Sequence, residues 1–189
     1  MTEDRQLLDL FLAGDHRAFQ DLMAAHEDRV FAVCLRMMRD REAALDATQE
    51  TFLTLFRKAD RFEGRAAFST WLYRLAVNTC YDQLRRQKRH RAEPLPETHD
   101  PPDAASADHL ASVELRPDLE RALAALDPEF RSVVVLSDLE GLALQTVAEA
   151  LGLPLGTVKS RLFRGRRRLA DALGNLSGHS TTPTGDPHA

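Results

Sequence analysis

The sequence predicts an all-α protein of two helical domains joined by a flexible acidic linker, the C-terminal domain being a helix-turn-helix. Three observations carry that expectation. Apolar residues recur at three- and four-residue steps through most of the chain, which is the spacing of one helix face. Residues 92–116, rich in Pro, Asp, Ala and Ser, break the pattern and read as the linker. Beyond them, Gly141–Leu169 reads GLALQTVAEALGLPLGTVKSRLFRGRRRL, two short periodic segments split by Gly152-Leu153-Pro154, the second of them basic.

A chain of 189 residues suits one or two domains, and a net charge of −4 argues against indiscriminate nucleic-acid binding. The charge is unevenly placed. Tyr81–Arg91 carries five Lys/Arg against one acid, whereas Glu93–Glu120 carries eight acids against Arg116 alone. Two basic surfaces are therefore separated by an acidic connector. Cys34 and Cys80 lie in apolar-periodic segments and are expected to be buried free thiols. The N-terminal MTEDRQLLDL lacks a charged-then-apolar leader, and no apolar run approaches the roughly eighteen residues of a membrane span. The expectation is a cytoplasmic protein without membrane insertion.

Residues 3–13 form a short helix ending at Gly14, and Asp15 is the N-cap of a long core helix reaching Met38. His26 falls on the apolar stripe of that helix, as a satisfied core histidine would. Asp40 caps the next helix, to about Ala59, with Ala44, Ala47, Thr51 and Leu55 inside and Asp46, Gln49, Glu50 and Leu53 on another face. That second face is either a partner-binding surface or a solvated acidic one. Its carboxylates are not read as a metal site, because none of the seven histidines has an acid three residues before it.

A loop from Asp60 to Ala67 leads to a helix from about Phe68 to Arg91, in which Trp71, Leu72, Leu75, Ala76, Cys80 and Leu84 face inward. Phe62, Phe68, Trp71, Tyr73 and Tyr81 alternate with Arg74, Asn78, Arg85, Arg86, Lys88 and Arg89. Flat rings for stacking, cations for the backbone and an amide for a base edge suit single-stranded nucleic acid, although each ring taken singly is more often core.

The second domain begins near Pro117 with a short helix, followed by another that Asp127-Pro128 starts and Gly141 ends. In the basic segment Val158, Leu162, Gly165 and Leu169 share the packing face, leaving Lys159, Ser160, Phe163, Arg164 and Arg167 free to enter a groove. No acid lies between Glu149 and Asp171 to pair with those cations. Ala148 is small where the two helices approach, and Pro154 is tolerated in a first helical turn. There is no Gly-rich phosphate loop and no Ser/His/Asp or Cys/His arrangement, so no catalytic, cofactor or metal residues are assigned.

DATQETFLTLF at 46–56, RFEGRAAFSTWLYRLAVNTCYDQLRR at 61–86 and LGLPLGTVKSRLFRGRRRL at 151–169 together resemble the extracytoplasmic-function (ECF) group of bacterial sigma factors. These are promoter-specificity subunits of RNA polymerase, and the likeness runs from about Asp15 to Leu173. It implies a region 2 domain at 1–91, the flexible linker at 92–116, a region 4 domain at 117–175 and a disordered tail at 176–189. Asp46, Gln49, Glu50 and Leu53 match the docking surface for the β′ clamp helices of core polymerase, whose β subunit is a further contact. Phe62 and Asn78 match the pocket for a base flipped from the −10 element, with Phe68, Trp71, Arg74, Arg85 and Arg86 beside it. Lys159, Ser160, Phe163 and Arg164 match positions that read the −35 duplex, with Thr157, Arg161 and Arg167 alongside. The resemblance also implies an anti-sigma partner and a linker that threads near the RNA exit path. Gln145 stands where the family often has an acid, and Glu63 where many members are basic or polar.

Two rival functions remain at this stage. A helix-turn-helix regulator acting without polymerase would leave the Phe62–Arg91 segment unexplained. A nucleic-acid-processing enzyme would need a metal or nucleophile cluster.

Overall fold

Local polar chemistry sets the first helix boundaries. Gly14, at φ +104°, ends α1 (Glu3–Leu12), and the Asp15 carboxylate accepts the Arg17 N–H at 2.9 Å to start α2 (His16–Met38). Arg39, at φ +66°, donates its N–H to the Leu35 carbonyl and closes α2. Asp40 then accepts the Ala43 N–H at 2.7 Å and opens α3 (Arg41–Lys58). Each carboxylate satisfies one of the orphan donors of a first turn. A 3₁₀ turn, Ala59–Arg61, and a loop lead to α4 (Phe68–Ala92). The computed structural model describes residues 3–92 and 117–178, so the expected linker, apart from Ala92, and the tail beyond 178 lie outside the described residues.

Helix α2 packs against α1, α3 and α4, and α3 packs against α4. Leu8, Leu22, Val33, Met37, Leu55 and Leu72 are all buried at the centre of this first unit. Cys34 and Cys80 are buried free thiols in the same core, as expected. The hydrogen bond between them and burial push the Cys80 thiol well up from its usual range. His26 is satisfied by Asp4 at 2.9 Å and its ring lies against Phe68.

The second unit comprises α5 (Pro117–Ala125), α6 (Pro128–Val134), α7 (Leu144–Leu151) and α8 (Leu155–Gly178). Three details differ from the sequence expectation. The helix begun by Pro128 does not run evenly to Gly141 but widens into a π turn at Val135–Leu139, which aims Asp138 at Arg166 and Glu140 at Arg36. Asp127 is the N-cap with Pro128 after it, as expected, but its carboxylate pairs with Arg168 and makes no side-chain capping bond. Pro154 precedes the first helical residue, its carbonyl accepting from Thr157 and Val158, and α8 continues to Gly178, past the boundary expected at 175.

Gly165 is where α8 crosses α6. A Cβ there would sit 2.8 Å from Val134 Cγ2, so the glycine permits an approach that a side chain would block.

The two units share one continuous apolar core, an arrangement that a flexible tether alone does not foretell. Helix α7 packs on α4, and the π turn, α5 and α6 touch α2. The Arg131 guanidinium, 3% exposed, ties them together by donating to the carbonyls of Leu123, Ala124 and Leu126 in its own unit and to Met37 at the end of α2. Burial lowers its pKa to about 10, which leaves it charged at neutral pH, and carbonyls at helix C-termini are a favourable setting for that charge. Arg36 and Glu140 form a second link, an ion pair with both side chains 10% exposed.

Candidate nucleic-acid interface

On α3 the inward and outward faces fall as the spacing predicts. Ala44, Ala47, Thr51 and Leu55 are buried, while Asp46, Gln49, Glu50 and Leu53 are exposed. Leu45 and Phe56 add exposed apolar surface to the same helix, so the outer face mixes acids with large hydrophobics. Such a composition is unusual for a face meant only for water.

Around the start of α4 the aromatic residues divide by environment. Phe62 and Trp71 are half-buried, with centroids 5.3 Å apart, and Phe68 meets Phe62 edge-on. Phe68 itself is buried, so it supports the Phe62 ring and offers no stacking face of its own, contrary to the expectation from sequence. Tyr73 is also core. Tyr81 turns toward α6, its hydroxyl 2.6 Å from Ser132 Oγ. Burial raises the Tyr81 pKa despite that hydrogen bond. The partly exposed rings of Phe62 and Trp71 remain, with exposed Asn78 farther along α4 and exposed Arg85 and Arg86 beyond it.

Arg74 has another engagement. Its guanidinium donates to the Glu149 carbonyl at 2.5 Å and to the Ala150 carbonyl at 3.3 Å, closing the C-terminus of α7 beside the left-handed Gly152. This expected DNA contact is therefore tied to the second unit in the packed chain.

A third residue faces these rings from α1. The Arg5 guanidinium carbon lies over the Phe62 ring, 5.7 Å from its centroid. Nothing in the sequence pattern singles Arg5 out, because the contact spans a long stretch of chain.

In α8 the packing face is as expected, with Val158, Leu162 and Gly165 buried. Lys159, Phe163, Arg164 and Arg167 are exposed, Phe163 at 70% the most exposed large hydrophobic among the described residues. Thr157 and Ser160 are half-buried, the Ser160 hydroxyl donating to the Thr157 carbonyl. The expectation that the cations of this helix lack acidic partners is corrected. Arg161, Arg166 and Arg168 pair with Glu129, Asp138 and Asp127 of α6 and its flanks. Arg161 is thereby drawn toward its own unit. Among the described residues, Lys159, Arg164 and Arg167 have no ion pair, and they mark the outward cationic face.

No group of three or more His, Cys, Asp or Glu able to hold a metal occurs among the described residues. Among them, no helix is long and apolar enough to cross a membrane.

These faces define a bipartite helical protein with two separate exposed cationic surfaces. Residues 22–90 match the family model for sigma-70 region 2, and residues 116–169 that for sigma-70 region 4. The chain is 39% identical over 170 residues to the ECF RNA polymerase sigma factor SigE of Mycolicibacterium smegmatis, covering 87% of this chain and 66% of that longer relative. It is 40% identical over 174 residues to the ECF sigma factor SigM of Mycobacterium tuberculosis, covering 92% of this chain and 86% of the relative. Among solved structures, the sigma factor RpoE in complex with the anti-sigma factor NepR from Bartonella quintana shares the fold. Its TM-score is 0.67 at 24% identity, over 82% of this chain and 96% of that one. The chain belongs to the ECF group of RNA polymerase sigma factors.

Proposed function

We propose that this sigma factor reads a promoter in two places, with the duplex −35 element held by α8 and an unpaired −10 base held at the start of α4. One observation carries the proposal. A single chain presents an exposed cationic face on a helix-turn-helix and, separately, a pair of partly exposed aromatic rings followed by an exposed amide and arginines. The first suits a major groove, and the second suits an extruded base, whose unstacking costs a few kcal/mol that stacking and edge hydrogen bonds offset.

Asp46, Gln49, Glu50 and Leu53 dock on the β′ clamp helices of core polymerase, with the β subunit as a further contact. Phe62 stacks the flipped base, Trp71 supports it, Asn78 reads its edge, and Arg85 and Arg86 hold the backbone. Lys159, Phe163, Arg164 and Arg167 contact −35 DNA, with Thr157 and Ser160 at the rim. The division into a region 2 domain at 1–91, a linker at 92–116, a region 4 domain at 117–175 and a tail serves this bipartite task. The chain performs no catalysis itself, works in the cytoplasm where polymerase and promoter are, and is held in check by an anti-sigma protein. Support for that last partner comes from the RpoE structure, which was solved with its anti-sigma factor.

Run-off transcription with purified core enzyme on a randomised promoter library tests the proposal. Enrichment of two separated elements is expected, and Leu53→Asp should remove both transcription and capture by core polymerase. Tight operator binding without polymerase, and no enrichment with it, would instead identify an ordinary helix-turn-helix regulator.

A further inference from the structure

We infer that Arg5, outside the family-matched span of 22–90, forms the second wall of the −10 base pocket, so that an extruded base stacks between its guanidinium and the Phe62 ring. The inference rests on the pocket assignment proposed above.

The geometry is specific to this corner of the molecule. Phe62 is fixed from other directions by the edge-on ring of Phe68 at 5.6 Å and the tilted ring of Trp71 at 5.3 Å. The Arg5 guanidinium lies over the ring at 5.7 Å. A base between two planes needs about 7 Å, twice a contact distance of roughly 3.5 Å, so the guanidinium must move outward to admit one. The Arg5 side chain is 38% exposed and so is reachable from solvent.

Three features hold the arginine in that place. Gly64, at φ +70°, makes room for it, because a Cβ there would lie 2.9 Å from Arg5 Nη1. Helix α1 is anchored beside the pocket by the Asp4–His26 hydrogen bond, with the His26 ring against Phe68 at 5.4 Å. Asp9 accepts from Arg5 Nε at 3.1 and 3.3 Å, which orients the plane while leaving its terminal nitrogens to other partners. A guanidinium plane stacks on any base and adds a positive charge where phosphates approach, a combination that a lysine supplies only in part.

The test uses the full chain reconstituted with core polymerase, on a promoter taken from the randomised library, with 2-aminopurine at the extruded position to report stacking by its fluorescence. Arg5→Ala and Arg5→Gln should weaken binding to the unpaired −10 strand by roughly 5- to 150-fold, the range of one lost stacking contact. The 2-aminopurine should remain brighter, and protection of the −35 duplex should be unchanged. Arg5→Lys should recover only part of the affinity. Unchanged opening and quenching in Arg5→Ala, with Phe62→Ala impaired, would overturn the Arg5 assignment and leave the pocket standing. Full recovery in Arg5→Lys would overturn the stacking role. No effect of Phe62→Ala would remove the pocket itself.

Discussion

Helices α4 and α8 are the two long basic helices of this sigma factor, and they differ in what covers them. The outer face of α8 is clear: Lys159, Phe163, Arg164 and Arg167 are exposed, while its other arginines are pinned by acids of α6 and its flanks. Helix α4 is shared. Its first turns carry the partly exposed Trp71 against Phe62, but Arg74 is tied to the end of α7 and Tyr81 to Ser132 of α6. Counting cations along each helix would have ranked them alike. What separates them is where the acids and carbonyls of other helices lie. On the proposed reading, α8 can meet duplex DNA as it stands, whereas Arg74 can take a phosphate only after leaving the Glu149 and Ala150 carbonyls.

The contrast depends first on the second unit being seated on the first. Arg131→Met should have the largest effect, because it leaves three buried carbonyls and a part-buried one without their shared donor. A loss of about 3 kcal/mol is expected, or roughly 6 to 12 °C in the thermal midpoint. An unchanged midpoint would show that Arg131 does not tie the units. Next, Lys159→Ala and Arg164→Ala should each weaken −35-dependent initiation by about 1 to 3 kcal/mol where the contact is to a base. Equal losses on a promoter lacking that element would remove their assigned role.

Smaller effects test the pose of each helix. Gly165→Ala forces a methyl against Val134, and the gain in helix propensity offsets part of the strain, so a net loss of about 1 kcal/mol is expected in denaturant titration. Arg74→Ala removes two partly solvated bonds to the end of α7 and should cost about 1 kcal/mol at most. It should read out as faster hydrogen exchange at the last turn of α7, with the core of α4 unchanged.

The boundaries of α1, α2 and α3 and the end of α7 were legible because their chemistry is local. Asp15 and Asp40 cap from within a few residues, and Gly14 and Gly152 sit where the chain turns left-handed. The outward face of α3 and the packing face of α8 followed from spacing alone. Other assignments depended on distant residues. Phe62 and Phe68 look equivalent in sequence, yet tertiary packing half-exposes one and buries the other. The acids that pair with Arg166 and Arg168 lie 28 and 41 residues upstream, beyond any charge count within the helix. Arg131 and Arg36 carried no signal for the same reason: Met37 and Glu140 meet them only once the units pack.

The central claim is that the two basic helices read different states of the same promoter. The direct measurement pairs DNA footprinting with 2-aminopurine fluorescence in the reconstituted holoenzyme, for two double variants. Phe62→Ala with Asn78→Ala should keep −35 protection and lose the opening signal, while Lys159→Ala with Arg164→Ala should lose −35 protection first. Loss of the same step in both, or of neither, would contradict a division of labour between α4 and α8.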